Sequence, residues 1–327
     1  MPQRTMVEAL NLALDESMDR DDAVCIMGED VGINGGVFRV TKGLHEKYGE
    51  RRVMDTPLAE CGIIGTAVGM AINGLKPVTE IQFSGFTMQA FDQIEQNMAR
   101  MRNRTLGRFP IKMVMRAPFG GGIRAVEHHS ESREAYWAHT PGLKVVIPSG
   151  PRNARALLAA SIEDPDPVVF YEPKAVYRAF REEVPDEYET MPLGKAQVVR
   201  PGEDITVISY GAMMRVCTEA VDDLVDIHGV DVELIDLLTV SPMDTETIAE
   251  SVAKTGRCVI VHEGHQTCGI AAEVIARINE HAFEYLCAPI RRITCPDLPF
   301  PYFQVEKHFL PDADDVIAAV QETVAWE

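Results

Sequence analysis

The sequence predicts an α/β protein of two doubly wound domains, each a mostly parallel sheet with helices on both faces. Three observations lead there. Apolar runs of strand length alternate with segments of helical periodicity from Thr5 to Tyr171. A charged stretch broken by prolines then interrupts the alternation, which restarts at Ile205. At 327 residues, 46% of them hydrophobic, the chain is long enough for two domains to bury separate cores.

Thr5 is placed as an N-cap, followed by Val7, Leu10, Leu14 and Met18 on one helical face. Ala23–Met27 reads as a strand running into the loop Gly28-Glu29-Asp30. Gly62–Asn73 reads as a helix and Pro77–Gln82 as a strand. Met88, Phe91, Ile94, Met98 and Met101 mark one further amphipathic helix. Strands follow at Ile111–Arg116, Lys144–Ile147 and Pro167–Tyr171, with a helix at Pro151–Glu163. Residues 1–185 form the first domain and 186–203 a linker, in a stretch punctuated by Pro173, Pro185, Pro192 and Pro201. Residues 204–327 form the second, smaller domain, with strands at Ile205–Tyr210, Asp231–Asp236 and Cys258–His262. Its helices are expected at Met213–His228, Asp244–Lys254 and Gly269–His281.

The net charge of −19 argues against nucleic acid or an anionic membrane as partner. Residues 191–327 carry 23 acidic and 9 basic side chains, so most of the imbalance lies in the second domain. That acidity is either a solvated face or a surface that recruits a basic partner. Seven cysteines without a C-x-x-C pair and an opening that lacks a signal-peptide core point to a reducing cytoplasm. No G-x-x-x-x-G-K-[ST], no helix-opening G-x-G-x-x-G and no G-x-S-x-G occurs, which removes the usual nucleotide sites and the common hydrolase route. Cys258, His262, His265 and Cys268 are spaced somewhat like zinc ligands. Four residues of strand, however, separate the first two by roughly 13 Å, too far for one ion.

Two constellations can carry chemistry. Glu60 stands at the start of a helix whose Gly62, Gly65 and Gly69 share one face, among Leu58, Cys61, Ile63 and Ile64. The glycines admit close helix packing, a subunit contact or a flat ligand. The carboxylate is either a helix-start residue stabilised by the dipole or a proton partner for a bound heterocycle. Gly120-Gly121-Gly122 leads to His128-His129-Ser130, a glycine-rich loop presenting histidines for acid/base work; a plain surface loop or a metal site are the other readings.

Several ordered stretches resemble one family over essentially the whole chain. They are Asp55-Thr56-Pro57-Leu58-Ala59-Glu60, Ala90-Phe91-Asp92-Gln93-Ile94, Arg116-Ala117-Pro118-Phe119-Gly120, His129-Ser130-Glu131-Ser132, Pro141 to Pro148 and Phe170-Tyr171-Glu172-Pro173-Lys174. The family is that of the beta subunits of the thiamine-diphosphate-dependent, decarboxylating component of 2-oxo acid dehydrogenase complexes (pyruvate, branched-chain 2-oxo acid and acetoin). The resemblance implies a transketolase-like pyrimidine-binding domain followed by a transketolase C-terminal-like domain. It implies oxidative decarboxylation of a 2-oxo acid and acyl transfer to a lipoyl group. Glu60 is then the carboxylate on N1′ of the aminopyrimidine, where a shared proton favours the tautomer that can deprotonate the thiazolium carbon. Phe86 lies beside that ring, with Gln82 and Leu58 as further cofactor neighbours. Of the pair His128 and His129 the active-site histidine is taken as His129, which directly precedes Ser130, with His128 as the alternative.

The resemblance also accounts for the missing phosphate grip. The family holds the diphosphate and Mg²⁺ on a separate alpha subunit, so the active species is expected to be an α₂β₂ heterotetramer. It implies a structural K⁺ at Met113, Val114, Ser161, Asp164 and Asp166. It also implies that the acidic second domain docks a basic domain of the dihydrolipoyl acyltransferase core. A transketolase-type enzyme acting alone and a non-catalytic scaffold are the competing readings; the absence of Gly-Asp-Gly speaks against the former.

Overall fold

The protein, described here from a computed structural model, is defined over residues 2–326; Met1 and Glu327, the outer limits of the two expected domains, lie outside the described residues. The first half supplies β1 (Gln3–Arg4), β2 (Val24–Gly28), β3 (Val53–Asp55), β4 (Lys76–Glu80), β5 (Val114–Phe119), β6 (Lys144–Val146), β7 (Val168–Pro173) and β8 (Glu182–Glu183). The second half supplies β9 (Gln197–Arg200), β10 (Ile205–Ser209), β11 (Val232–Asp236), β12 (Thr239–Ser241), β13 (Cys258–His265) and β14 (Arg291–Cys295).

Of these strands, β1 and β8 pair antiparallel as a two-stranded ribbon. The other twelve build a seven-stranded sheet ordered β12-β6-β7-β5-β4-β2-β3 and a five-stranded sheet ordered β14-β13-β10-β11-β9. Each of these two sheets is parallel apart from one antiparallel edge strand, β12 on β6 and β9 on β11. The inner parallel strands are buried along their length because helices cover both faces, which is why they read as continuous apolar runs, whereas the outer β3 and β14 stay partly exposed. Alternate side chains feed two apolar layers. Val114, Phe170, Val207 and Val259 pack with the helices Met6–Arg20, Pro151–Glu163 and Met213–Asp226. Met115, Tyr171, Ile208 and Ile260 pack with Glu60–Ile72 and Ile270–His281. Both layers run through the two sheets, so the two domains share continuous apolar packing.

Thr5 caps the first helix as the sequence predicts: its hydroxyl accepts from Glu8 N–H at 3.4 Å, and Glu8 returns the bond to Thr5 N–H at 2.7 Å. Other expectations are corrected. The expected linker 186–203 contains a strand, since Gln197–Arg200 adds to the edge of the second sheet. Thr239–Ser241, expected within the second domain, completes the sheet of the first. The single amphipathic helix expected around Met88–Met101 is broken into a 3-10 turn at Ser84–Ala90, a π-helical stretch at Gln93–Met98 and a short helix at Met101–Arg104. Ile94 and Met98 remain buried throughout, so the apolar period survives while the winding changes. The strand expected at Ile111–Arg116 lies three residues further on, at Val114–Phe119. The structure also adds β14 and the helix Ala313–Val324. Among the described residues no helix is long and apolar enough to cross a membrane.

Candidate active site

A parallel sheet leaves loops at the carboxyl ends of its strands, and ligands in such folds bind there. Five loops of the seven-stranded sheet contribute to the site. After β2 come Glu29 and Asp30. After β3, the Asp55 carboxylate accepts the N–H groups of Gly32 (2.6 Å) and Ile33 (3.1 Å), which ties the β2 loop to the segment that ends at Glu60. Glu60 is the first residue of the helix Glu60–Ile72 and is buried, and the preceding Ala59 offers no side-chain cap. The apolar surround expected for Glu60 is only half present: Ile63 and Ile64 are buried, whereas Cys61 is exposed and Leu58 is 79% exposed.

Glu60 is not alone. Glu29 is buried nearby, and its carboxyl is held above the ordinary range first by burial, then by the charge of Glu60 and that of Asp30. One Glu29 oxygen, Oε1, has no hydrogen-bond partner in the chain. Two buried carboxylates with an unanswered oxygen call for a proton or a donor from outside the chain.

After β4, Gln82 reaches Asp30 Oδ2 at 3.5 Å, and Phe83 and Phe86 pack edge to face with centroids 5.6 Å apart. After β5 the chain runs through Gly120–Gly122 to a 3-10 turn at Glu127–His129. His129 is half-buried, its ring 4.2 Å from Phe83 and 5.3 Å from Phe86, while its neighbour His128 is exposed. Burial, then the charges of His128 and Lys174, hold the His129 imidazole below its ordinary pKa, and its Nδ1 is buried without a partner. The loop comes this close only because residue 85 is glycine: a Cβ there would lie 2.5 Å from the His128 carbonyl oxygen. After β7, Lys174 is buried with its ammonium on the Gly120 carbonyl and 5.8 Å from the Phe83 ring.

Phe86 and His129 are in contact, Gln82 ties the β4 loop to Asp30 next to Glu29, and the helix that Glu60 begins packs on the turn that carries Phe86, so these residues lie on adjoining loops. The unpartnered Glu29 Oε1, the buried Glu60 and the unpartnered His129 Nδ1 around two aromatic rings suit a flat aminopyrimidine, which offers a ring nitrogen to a carboxyl and an amino group as donor. The glycine face of Glu60–Ile72 is open within the chain. A Cβ on Gly69 would meet nothing within 4 Å, and one on Gly65 would meet only Gln93.

The five positions named for potassium are near one another, but their polar groups are engaged. Asp164 accepts from the Lys144 ammonium at 2.7 Å, and Asp166 pairs with Arg102. Ser161 donates to the Leu157 carbonyl, Met113 C=O accepts from Val168 N–H, and Val114 lies in a strand ladder. On the second domain, Cys258 and His262 are both buried along β13. His262 stacks on Tyr210 with centroids 6.0 Å apart, and burial pushes its pKa down to about 4. Among the described residues no group of three or more His, Cys, Asp or Glu is arranged to hold a metal ion.

Sequence reasoning passed over Glu29, Phe83, Lys174, Glu263 and Glu306. All but Glu306 follow a predicted strand, so the rule that sites collect at strand carboxyl ends was the signal available for them.

Residues 3–179 match the family described as the transketolase pyrimidine binding domain, and residues 194–316 match the transketolase C-terminal domain. The pyruvate dehydrogenase E1 component subunit beta of Acholeplasma laidlawii is 50% identical over 318 residues, 97% of each chain. That of Bacillus subtilis is 48% identical over 326 residues, 100% of each chain. A solved split-gene transketolase, an inactive beta4 tetramer, shares the fold with a TM-score of 0.78 and 22% identity over 99% of both chains. The chain belongs to the transketolase-like proteins and, within them, to the family of 2-oxo acid dehydrogenase E1 beta subunits.

Proposed function

We propose that this chain is the beta subunit of a pyruvate dehydrogenase, working in the cytoplasm with an alpha subunit in an α₂β₂ heterotetramer. It would decarboxylate pyruvate and pass the acyl group to lipoyl arms of a dihydrolipoyl acyltransferase core. The observation that carries the reading is the buried pair Glu29 and Glu60, with one Glu29 oxygen unanswered within the chain. The choice of pyruvate over branched-chain acids rests on the names of the relatives.

Thiamine diphosphate, when bound, supplies a carbon nucleophile and an electron sink for decarboxylation. The chain's own residues supply the rest. Glu60 would share a proton with the pyrimidine nitrogen, next to the Glu29 carboxyl that burial holds above the ordinary range. Phe83 and Phe86 exclude water and hold the ring edge. His129, held below its ordinary pKa, could accept or give a proton at Nδ1 or Nε2 as a lipoyl disulfide is opened. One sulfur would take the acyl group and the other leave reduced as a thiol, so that the disulfide is the two-electron oxidant. The diphosphate and Mg²⁺ fall to the alpha subunit. Leu58, two residues before Glu60, and Ile33, in the β2 loop that Asp55 ties down, are each 79% exposed, which suits a partner that would cover them.

The acidic partner surface is assigned to the helices Met213–Asp226 and Ala313–Val324, which expose Glu219, Asp222, Asp223, Asp226, Asp314 and Asp315. Core binding should weaken with salt and on charge reversal there. A potassium ion near Asp164 and Asp166 would compete with Lys144 and Arg102. A thermal shift specific to K⁺ over Na⁺ would support it.

The decisive experiment is Glu60→Gln in the co-expressed α/β complex. Loss of decarboxylation by about 100-fold or more, with the complex intact, is expected. Near-wild-type turnover would sink the proposal and favour a scaffold role.

A further inference from the structure

The loop that carries His129 is fixed from outside its own domain. Its ends are closed by Gly120 N–H donating to the Glu131 carbonyl at 3.3 Å. Its inner side is held by Ser84, whose hydroxyl donates to the same carbonyl. Its outer side is held by the second domain. Glu263, at the end of β13, accepts Gly121 N–H at 2.7 Å. Glu306, in the turn Glu306–His308, accepts both Gly122 N–H at 2.7 Å and Arg124 N–H at 3.0 Å. Lys174 donates to the Gly120 carbonyl from the first domain.

All three charged side chains are buried, at 3% exposure for Lys174, 6% for Glu263 and 4% for Glu306. Burying carboxylates is costly unless donors answer them, and apolar contacts would have joined the domains more cheaply. What the charges add is direction, because each carboxylate accepts from particular N–H groups, Glu263 through one oxygen and Glu306 through both. Arg124 is held at φ +58°, a conformation a non-glycine residue leaves unless something fixes it. Gly121 is part of the same fit: a Cβ there would lie 2.7 Å from the Phe300 ring of the second domain.

From Arg124 to the histidine the loop is short and stiff. His129 N–H bonds Val126 C=O at 3.0 Å and Ser130 N–H bonds Glu127 C=O at 2.9 Å, so the histidine sits on a closed turn. A rotation of residues 122–124 would carry that turn with it.

We propose that Glu306, with Glu263 and Lys174, is a positioning residue through which the second domain sets where His129 points. The inference rests on the reading of His129 as the group that serves acyl transfer. Its function is to hold the loop in one register while the acyl acceptor enters.

The test uses the α/β holoenzyme with Glu306→Ala and Glu306→Gln. Acyl transfer to a lipoyl domain and decarboxylation coupled to an artificial one-electron acceptor are measured side by side, with cofactor affinity and amide exchange at Gly122 and Arg124. Glu306→Ala should lose about 10–100-fold in kcat for lipoyl transfer, a cost typical of misplaced catalytic groups. Cofactor affinity, the KM for the 2-oxo acid and the artificial-acceptor rate should hold, and the two amides should exchange faster. Glu306→Gln keeps one acceptor oxygen and should recover part of the loss; it also carries the test if the alanine variant does not fold. Wild-type lipoyl transfer in either folded variant would overturn the inference. So would a parallel fall in both assays with cofactor affinity, which marks a merely structural role. A wild-type complex inactive on every 2-oxo acid would overturn the site reading first, and this inference with it.

Discussion

Arg116→Ala should be among the most damaging single substitutions remote from the catalytic groups. Arg116 is fully buried, with Nε and Nη2 donating to the two oxygens of Glu172 at 2.6 and 3.0 Å and Nη1 donating to Glu80 at 3.0 Å. Removing the guanidinium strands two buried carboxylates. Glu172 keeps one donor, the Tyr177 hydroxyl at 2.6 Å, whereas Glu80 loses its ion-pair partner. Breaking a buried pair from one side costs about 3–5 kcal/mol. In a chain of 327 residues, with an unfolding entropy of about 2.1 cal/mol/K per residue, that is a fall of about 4–7 °C in Tm.

The sign of the pH dependence follows from Glu80. Burial already holds its carboxyl above the ordinary range, against the pull of Arg116, and without the arginine it rises further. Between the ordinary carboxylate pKa and the raised one the native state then binds a proton that the unfolded state lacks, so stability falls as pH rises across that interval and levels off above it. The slope approaches about 1.4 kcal/mol per pH unit. Calorimetry of wild type and variant at pH 8 and pH 6, at equal protomer concentration, should show the deficit shrinking in acid. A deficit under about 1 kcal/mol, or one independent of pH, would refute the accounting.

Three further outcomes are expected. Because burial and the charges of His128 and Lys174 depress His129, the acid limb of kcat/KM should lie below the ordinary imidazole value and move up in His128→Ala; a wild-type limb above neutrality contradicts this. Gly85→Ala drives a Cβ against the His128 carbonyl, so turnover should collapse with a stability loss of about 1–3 kcal/mol by thermal melting, and unchanged kcat would count against the close approach. Leu58→Asp should leave the Tm of the isolated chain unchanged yet weaken the heterotetramer about tenfold or more by sedimentation, since burying a leucine contributes about 1.5–3 kcal/mol.

The inner parallel strands were legible because full burial writes them as unbroken apolar runs, as in Val168–Val169–Phe170. The edge strand Gln197–Arg200 was not, because it lies between charged, proline-marked segments and stays largely exposed. Periodicity named Ile94 and Met98 as core, yet it does not register the wider winding of Gln93–Met98. In the site, Glu60 and His129 stood out because a carboxylate in apolar company and paired histidines after glycines are locally odd. Glu306 could not stand out: its meaning comes from N–H groups 182 and 184 residues away. The triple glycine shows the same limit, since it reads as a loose surface loop and is a fitted socket for Phe300 and Glu263.

The antiparallel strand Thr239–Ser241 has a consequence for how the chain is made. The first sheet has all its parallel strands once Pro173 is synthesised, but its outer edge, Lys144–Val146, stays bare until Ser241 emerges. At typical rates of translation that wait lasts roughly 3–14 s. A bare edge of that kind invites pairing with another nascent chain on the same message. Its brevity and its Lys144 limit that risk until the strand from the second half arrives.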